Sequence, residues 1–263
     1  MNKAEALKPK NLVVCSFGGG TNSTAMLIGM VERGEKCDLI VFADTGGEKP
    51  YTYEHIIDMS KWLVAHNMPS IQTVRGTAPK MIEDDSLEGE CLRIKALPSI
   101  AYGYKKCSQK WKIAPINMYV GKFCKERGID PASVIRMIGF DADETRRAKD
   151  FPNEKYPLIE WNWGRDECVN AIKRAGLKLP GKSACFFCPS SKKHEILQLK
   201  RDYPDLAARA VAMENNAELT HIKGLGRDFA WRDLLAWNEA QIDMFPHESR
   251  IEIDCGCYDE AQT

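Results

Sequence analysis

The stretch Val13-Val14-Cys15-Ser16-Phe17-Gly18-Gly19-Gly20-Thr21-Asn22-Ser23-Thr24-Ala25-Met26-Leu27 constrains what this chain can fold into more than any other. An apolar strand runs into three glycines and then small hydroxyl and amide side chains. Beyond them an amphipathic helix resumes with Ala25, Met26, Leu27, Ile28 and Met30. Successive glycines let backbone N–H groups turn inward, and the following helix points its positive end at the same place, so anions should collect there. Thr21, Asn22, Ser23 and Thr24 can cap the helix or donate to phosphate oxygens. A glycine-rich strand-to-helix turn without a ligand has the same local signature.

The rest of the first half repeats the alternation. Leu39 to Ala43 is an apolar run that reads as a second, parallel strand, and it ends in Asp44-Thr45-Gly46-Gly47-Glu48-Lys49-Pro50. A helix is expected from about Tyr51 to Asn67 and a third strand over Ile71 to Val74. The Asp44 turn thus falls at a carboxyl strand end, where ligands sit in open parallel sheets, although a helix cap explains Thr45 and Pro50 as well. Gly76 to Tyr104 reads as a long mobile insertion, followed by the basic segment from Lys105 to Pro115 and a helix to about Arg127. Val134 to Ile138 is a further strand, ending in Gly139-Phe140-Asp141-Ala142-Asp143-Glu144-Thr145-Arg146-Arg147. Such a loop can hold Mg²⁺ through carboxylates and neutralise a pyrophosphate through arginine, or form a surface ion-pair cluster.

Tyr156 to Trp161 reads as a last extended piece, Asp166 to Ala175 as a helix, and Ser190 to Gln241 as helical with breaks at Pro204 and Gly224-Leu225-Gly226. Trp163, Trp231 and Trp237 are expected in the core. The fold class is α/β, a Rossmann-like, mostly parallel sheet with flanking helices. Residues 1–163 would be the nucleotide-binding domain, and 164–263 a helical C-terminal region carrying a cysteine motif.

Lys plus Arg and Asp plus Glu number 37 each, so no overall charge draws the molecule to nucleic acid or to an anionic membrane. No apolar run reaches the roughly 18 to 20 residues of a membrane span, and Met1 to Lys10 is too polar for a signal peptide, so a cytoplasmic protein is expected. Ten cysteines then point to metal, redox chemistry or burial rather than disulfides. Cys15, Cys37, Cys124 and Cys168 read as buried thiols. Cys185 and Cys188 form a C-x-x-C, to which Cys107, then Cys255 or Cys257, or His194, could add ligands for Zn²⁺ or an iron–sulfur cluster. Gly176 to Ser183 satisfies G-x-x-x-x-G-K-[ST], but a charged helix precedes it and a cysteine turn follows, which is the wrong setting for a Walker A loop.

Four blocks together resemble the PP-loop ATP pyrophosphatase superfamily and, within it, the phosphoadenosine phosphosulfate (PAPS) reductase-like family. Gly18-Gly19-Gly20-Thr21-Asn22-Ser23, preceded by Ser16-Phe17, resembles the S-G-G-x-D-S loop, and Asp44-Thr45-Gly46 the D-T-G after the second strand. Cys107 with Lys112, Ile113 and Pro115 resembles C-x4-K-[IV]-x-P, and Gly139 to Arg147 resembles G-x-R-x-D-E-S-x-x-R. The resemblance implies ATP over the first loop and attack of a substrate oxygen on its α-phosphate. It further implies Mg²⁺ held by Asp44 or by Asp141, Asp143 and Glu144, charge offset by Arg146, Arg147 and Lys112, and a cluster on Cys107, Cys185, Cys188 and Cys257 or another fourth ligand. The implied partners are a nucleobase or nucleic-acid substrate and a sulfur donor or thioredoxin-type reductant, in a chain able to form a homo-oligomer. Departures stand beside the match. Gly18 and Asn22 replace a serine and an aspartate, Phe140-Asp141 replace Ile-Arg, and Ser108 follows Cys107 where reductases with a cluster have tandem cysteines. Asp254-Cys255-Gly256 imitates the reductase terminus, so a thiol-dependent sulfonucleotide reductase using Cys255 is the second reading, and a nucleotide- or nucleic-acid-binding module without turnover the third.

Overall fold

The computed structural model describes residues 11–76, 86–98, 100–101 and 104–244. Strand β1 (Val13–Phe17), helix α1 (Thr21–Glu32), strand β2 (Leu39–Asp44), helix α2 (Pro50–Ala65) and strand β3 (Ile71–Arg75) form two successive crossovers. Both strand pairings are parallel. Helix α3 (Leu87–Arg93) and a short hairpin, β4 (Ile100–Ala101) with β5 (Tyr104–Lys105), lead into a long helical segment. It starts as α4 (Lys106–Ser108), widens to π geometry over Gln109–Ile113 and continues as α5 (Ala114–Arg127). The chain then returns to the free side of β1 as β6 (Ile135–Ile138), with β7 (Glu154–Lys155) outside it, giving the parallel order β3-β2-β1-β6-β7. This is an α/β, Rossmann-like sheet with flanking helices. A helical C-terminal region follows: α6 (Pro157–Glu160), α7 (Arg165–Arg174), α8 (Lys193–Asp202), α9 (Pro204–Asn216) and α10 (Trp231–Met244).

Every residue of β2 is buried, as an apolar run covered on both faces must be. Alternation sends Cys15, Phe17, Ile40 and Phe42 to one face, against α1, α2 and α7. Val14, Leu39, Val41 and Ala43 go to the other, against Val120 and Cys124 of α5. A third apolar cluster joins Leu87 and Cys91 of α3, Trp111, Phe186 and Phe187 to the inner faces of α8, α9 and α10.

Three expectations are corrected. The supposed insertion contains a helix and a short hairpin: Ser86 caps α3 by accepting from Gly89 N at 3.1 Å, and Leu87 and Cys91 are core residues. Tyr156 to Trp161 is not extended, because Pro157 opens the helical turn α6 and the strand lies just before it. Trp161 and Trp163, edge to face at 5.3 Å, cover Gly29 so closely that a Cβ there would stand 2.4 Å from Trp161. Trp237 is 58% exposed and no part of the core, unlike Trp231, which is buried. No helix among the described residues is long and apolar enough to cross a membrane.

Candidate functional site

Because β2 and β6 leave β1 on opposite sides, the carboxyl end of β1 is the switch point of the sheet, where a cleft opens between the loops. The glycine turn forms one wall. Gly19 holds a φ of 76°, and the turn closes on itself through Ser23, whose Oγ accepts from Gly18 N and donates to Gly20 O, both at 3.2 Å. No side chain caps α1, so the N–H groups of Thr21, Asn22 and Ser23 find no acceptor among the described residues, and all three residues line the cleft. Thr24 Oγ1 donates to Gly20 O at 2.9 Å, which makes His55 Nε2 the donor in its 2.8 Å contact with the same hydroxyl. His55 thereby carries a proton on Nε2, and burial lowers its pKa.

The loop after β6 forms the opposite wall. Gly139 lies flat on the start of α1, where a Cβ would be 2.9 Å from Ser23 Cα. Asn22 joins the walls: its Nδ2 donates to Asp141 Oδ2 at 2.8 Å and to Glu144 Oε2 at 3.0 Å, and its Oδ1 accepts from Arg165 at 3.3 Å. Burial and the neighbouring Glu144 raise the pKa of Asp141. Asp143 turns away to accept from Arg165 N at 3.1 Å. Arg147 pairs with Glu144 and lies 4.2 Å over the Phe140 ring, whereas Arg146 is exposed and does not line the cleft.

The Asp44 turn supports the floor from below. Asp44 is buried and does not line the cleft. It accepts from Gly46 N and Tyr53 Oη, each at 2.8 Å, and pairs with Arg75. Thr45 contacts Cys185 Sγ at 3.0 Å, and Gly46, at a φ of 74°, packs so tightly on Ser86 that a Cβ would be 2.7 Å from it. Glu48, with a side chain 0% exposed, pairs with Lys112 at 2.9 Å. Burial works against the lysine's charge, but Glu48, together with the neighbouring Cys185 and Cys188, offsets it, and the pKa of Lys112 is raised.

Between these walls lies a cavity of about 710 Å³, within the size range of small-molecule sites. Ser16, Phe17, Gly18, Gly20, Lys112, Glu144, Arg147 and Arg165 line it, and so do Gly181, Lys182 and Ser183. No family model matches the chain. No curated protein matches it either. Among solved structures it is similar to the U34-tRNA thiolase NcsA from Methanococcus maripaludis with its 4Fe-4S cluster, at 14% identity, over 81% of this chain and 74% of that one, with a TM-score of 0.44. A likeness of that extent carries neither a family nor an activity.

Cys107, Cys185 and Cys188 are brought to one region. Burial and then the proximity of Cys188 raise the pKa of Cys107, and burial pushes Cys185 up to about 12. Yet among the described residues no three His, Cys, Asp or Glu side chains are arranged to hold one metal ion. Cys185 is committed to Thr45, Asn22 occupies oxygens of Asp141 and Glu144, and Asp143 faces Arg165. Among the described residues, therefore, no complete ligand set for a cluster or Zn²⁺ is assembled. Cys255 and Cys257 lie outside the described residues.

Sequence reasoning missed Glu48, Arg165, Lys182, Ser183 and Glu195. Glu48 was visible only as one polar residue of a turn, and Arg165 as the start of a surface helix. The G-x-x-x-x-G-K-[ST] match at Gly176 to Ser183 is not a Walker loop, since neither a strand before it nor a helix directly after it is present. Its last three residues nonetheless enter the cavity.

Proposed function

We propose that the cavity binds ATP and that the chain transfers its adenylyl group to a substrate oxygen, with release of pyrophosphate. The uncapped start of α1, opening with the glycine turn into a cationic cavity at the switch point, carries this reading. The free N–H groups of Thr21, Asn22 and Ser23 would hold phosphate oxygens, adding fixed dipoles that need not reorganise as charge shifts. Arg165, Arg147 and Lys112 supply positive charge along the same cavity. In the step itself, the substrate oxygen forms a bond to the α-phosphorus, the bond from that phosphorus to the bridging oxygen of the β-phosphate breaks, and the electron pair leaves with pyrophosphate. The resemblance adds a nucleobase, free or in nucleic acid, as the activated partner, with sulfur transfer to follow. No step is assigned to the chain's carboxylates.

Incubation with Mg-ATP and nucleobase or nucleic-acid substrates is expected to release pyrophosphate. A Gly19→Asp variant, with a side chain forced onto a positive-φ position beside Thr52 and Ser183, should lose that release. Undiminished release by this variant would refute the assignment of the glycine turn.

A further inference from the structure

The segment ending in Gly181-Lys182-Ser183 is tied down at three points, two on Tyr51 of α2 and one on the glycine turn. Gly181 lies on the Tyr51 ring, where a Cβ would be 2.5 Å from Cε2. Tyr51 Oη donates to Lys182 O at 3.0 Å, and Ser183 Oγ donates to Gly18 O. A Cβ on Gly20 would be 3.7 Å from Ser183 Cβ, so this strap and the phosphate-cradling turn are in contact. Lys182 is consequently held beside the cradle, but its side chain is not locked there. Its Nζ rests on Glu195, at 2.7 and 2.8 Å from the two oxygens, and more distantly on Ser190 O at 3.5 Å, and the Lys182 and Glu195 side chains line the cavity.

The cations of the cavity differ in what their departure would cost. Lys112 cannot leave without stranding the fully buried Glu48. Arg147 is stacked on Phe140 as well as paired. Lys182 is 45% exposed, and Glu195 would keep a hydrogen bond without it, because Glu195 Oε2 also accepts from Lys192 N at 2.8 Å at the start of α8. An amine in that position can exchange one anion for another at little cost.

We propose that Lys182 and Ser183 form a second, adjustable wall of the phosphate site. Lys182 passes from Glu195 to the terminal phosphates of a bound polyphosphate, while Ser183 keeps the strap on the carbonyl of Gly18. This rests on the reading of the cavity as a nucleotide site, and inorganic tripolyphosphate separates the two claims. Binding of tripolyphosphate, ATP and AMP to the full chain would be measured by calorimetry. Lys182→Ala should raise the Kd of ATP and tripolyphosphate about ten- to hundredfold, the worth of one charge-assisted hydrogen bond, and that of AMP less than about twofold. Lys182→Arg should retain most of the affinity, and Glu195→Gln, which removes the competing charge, should tighten ATP by about threefold. Unchanged ATP and tripolyphosphate affinity in Lys182→Ala, an equal loss for AMP, or a loss in Glu195→Gln matching that of Lys182→Ala would overturn the proposal while leaving the nucleotide site standing. Wild-type protein that binds tripolyphosphate but not ATP would refute the adenine-nucleotide reading alone, and protein that binds neither would refute both.

Discussion

Glu48 and Lys112 show how single residues set the floor of the cavity. A carboxylate with no exposed surface is tolerable only while its cation stays within reach, here 2.9 Å away. Lys112→Met should therefore destabilise the fold by about 3 kcal/mol, chiefly because Glu48 is left buried without its cation. Adding Glu48→Gln should recover more than half of that loss in urea unfolding, and strictly additive losses would contradict the pairing. Gly139 is a residue-scale constraint of a different kind, since its missing side chain is what lets the two loops touch. Gly139→Ala should cost about 1–3 kcal/mol by displacing the start of α1, and should weaken ATP binding with it. An alanine variant with wild-type melting temperature and affinity would show that the contact between the loops is looser than described.

At the scale of elements, α1 and α2 are joined by one polar contact inside an otherwise apolar interface, that between Thr24 and His55. Phe17 stacks on the His55 ring with centroids 6.2 Å apart, and the Asp58 carboxylate opposes the burial that lowers its pKa. A histidine whose folded pKa lies below its unfolded value of about 6.5 binds fewer protons when folded. Its contribution is thus complete above pH 6.5 and is lost as the pH falls from there through the folded pKa. Between pH 7 and pH 5 the wild type should lose more thermal stability than His55→Gln, and parallel melting curves for the two proteins across that range would exclude the histidine as the cause. The same scale explains α10. Glu214 of α9, itself buried, accepts from the backbone of Leu225, Trp231 and Arg232 at 2.6, 2.9 and 3.1 Å, so one carboxylate organises the turn from which α10 departs.

For the molecule as a whole, the sheet was legible because its signals are local: the apolar run of β2, the glycines after β1 and the β-branched run of β6 each declare themselves within a few residues. The glycine-turn wall and the loop from Gly139 to Arg147 could be read for the same reason. What escaped was placed by tertiary register. Nothing near Ser183 in sequence shows that it reaches Gly18, nothing near Arg165 shows that it meets Asn22, and a proline that could begin a turn or sit in a strand decided the conformation of α6 only with Leu158 buried beneath it. Trp237 misled because an aromatic at helical spacing carries no mark of which face is covered. The contacts that complete the cavity span 119 residues from Asn22 to Asp141 and 165 from Gly18 to Ser183. Loops of that length are slow to close, so a form of the chain in which Ser183 has not yet reached Gly18 still lacks one wall of the cavity, even with its sheet complete.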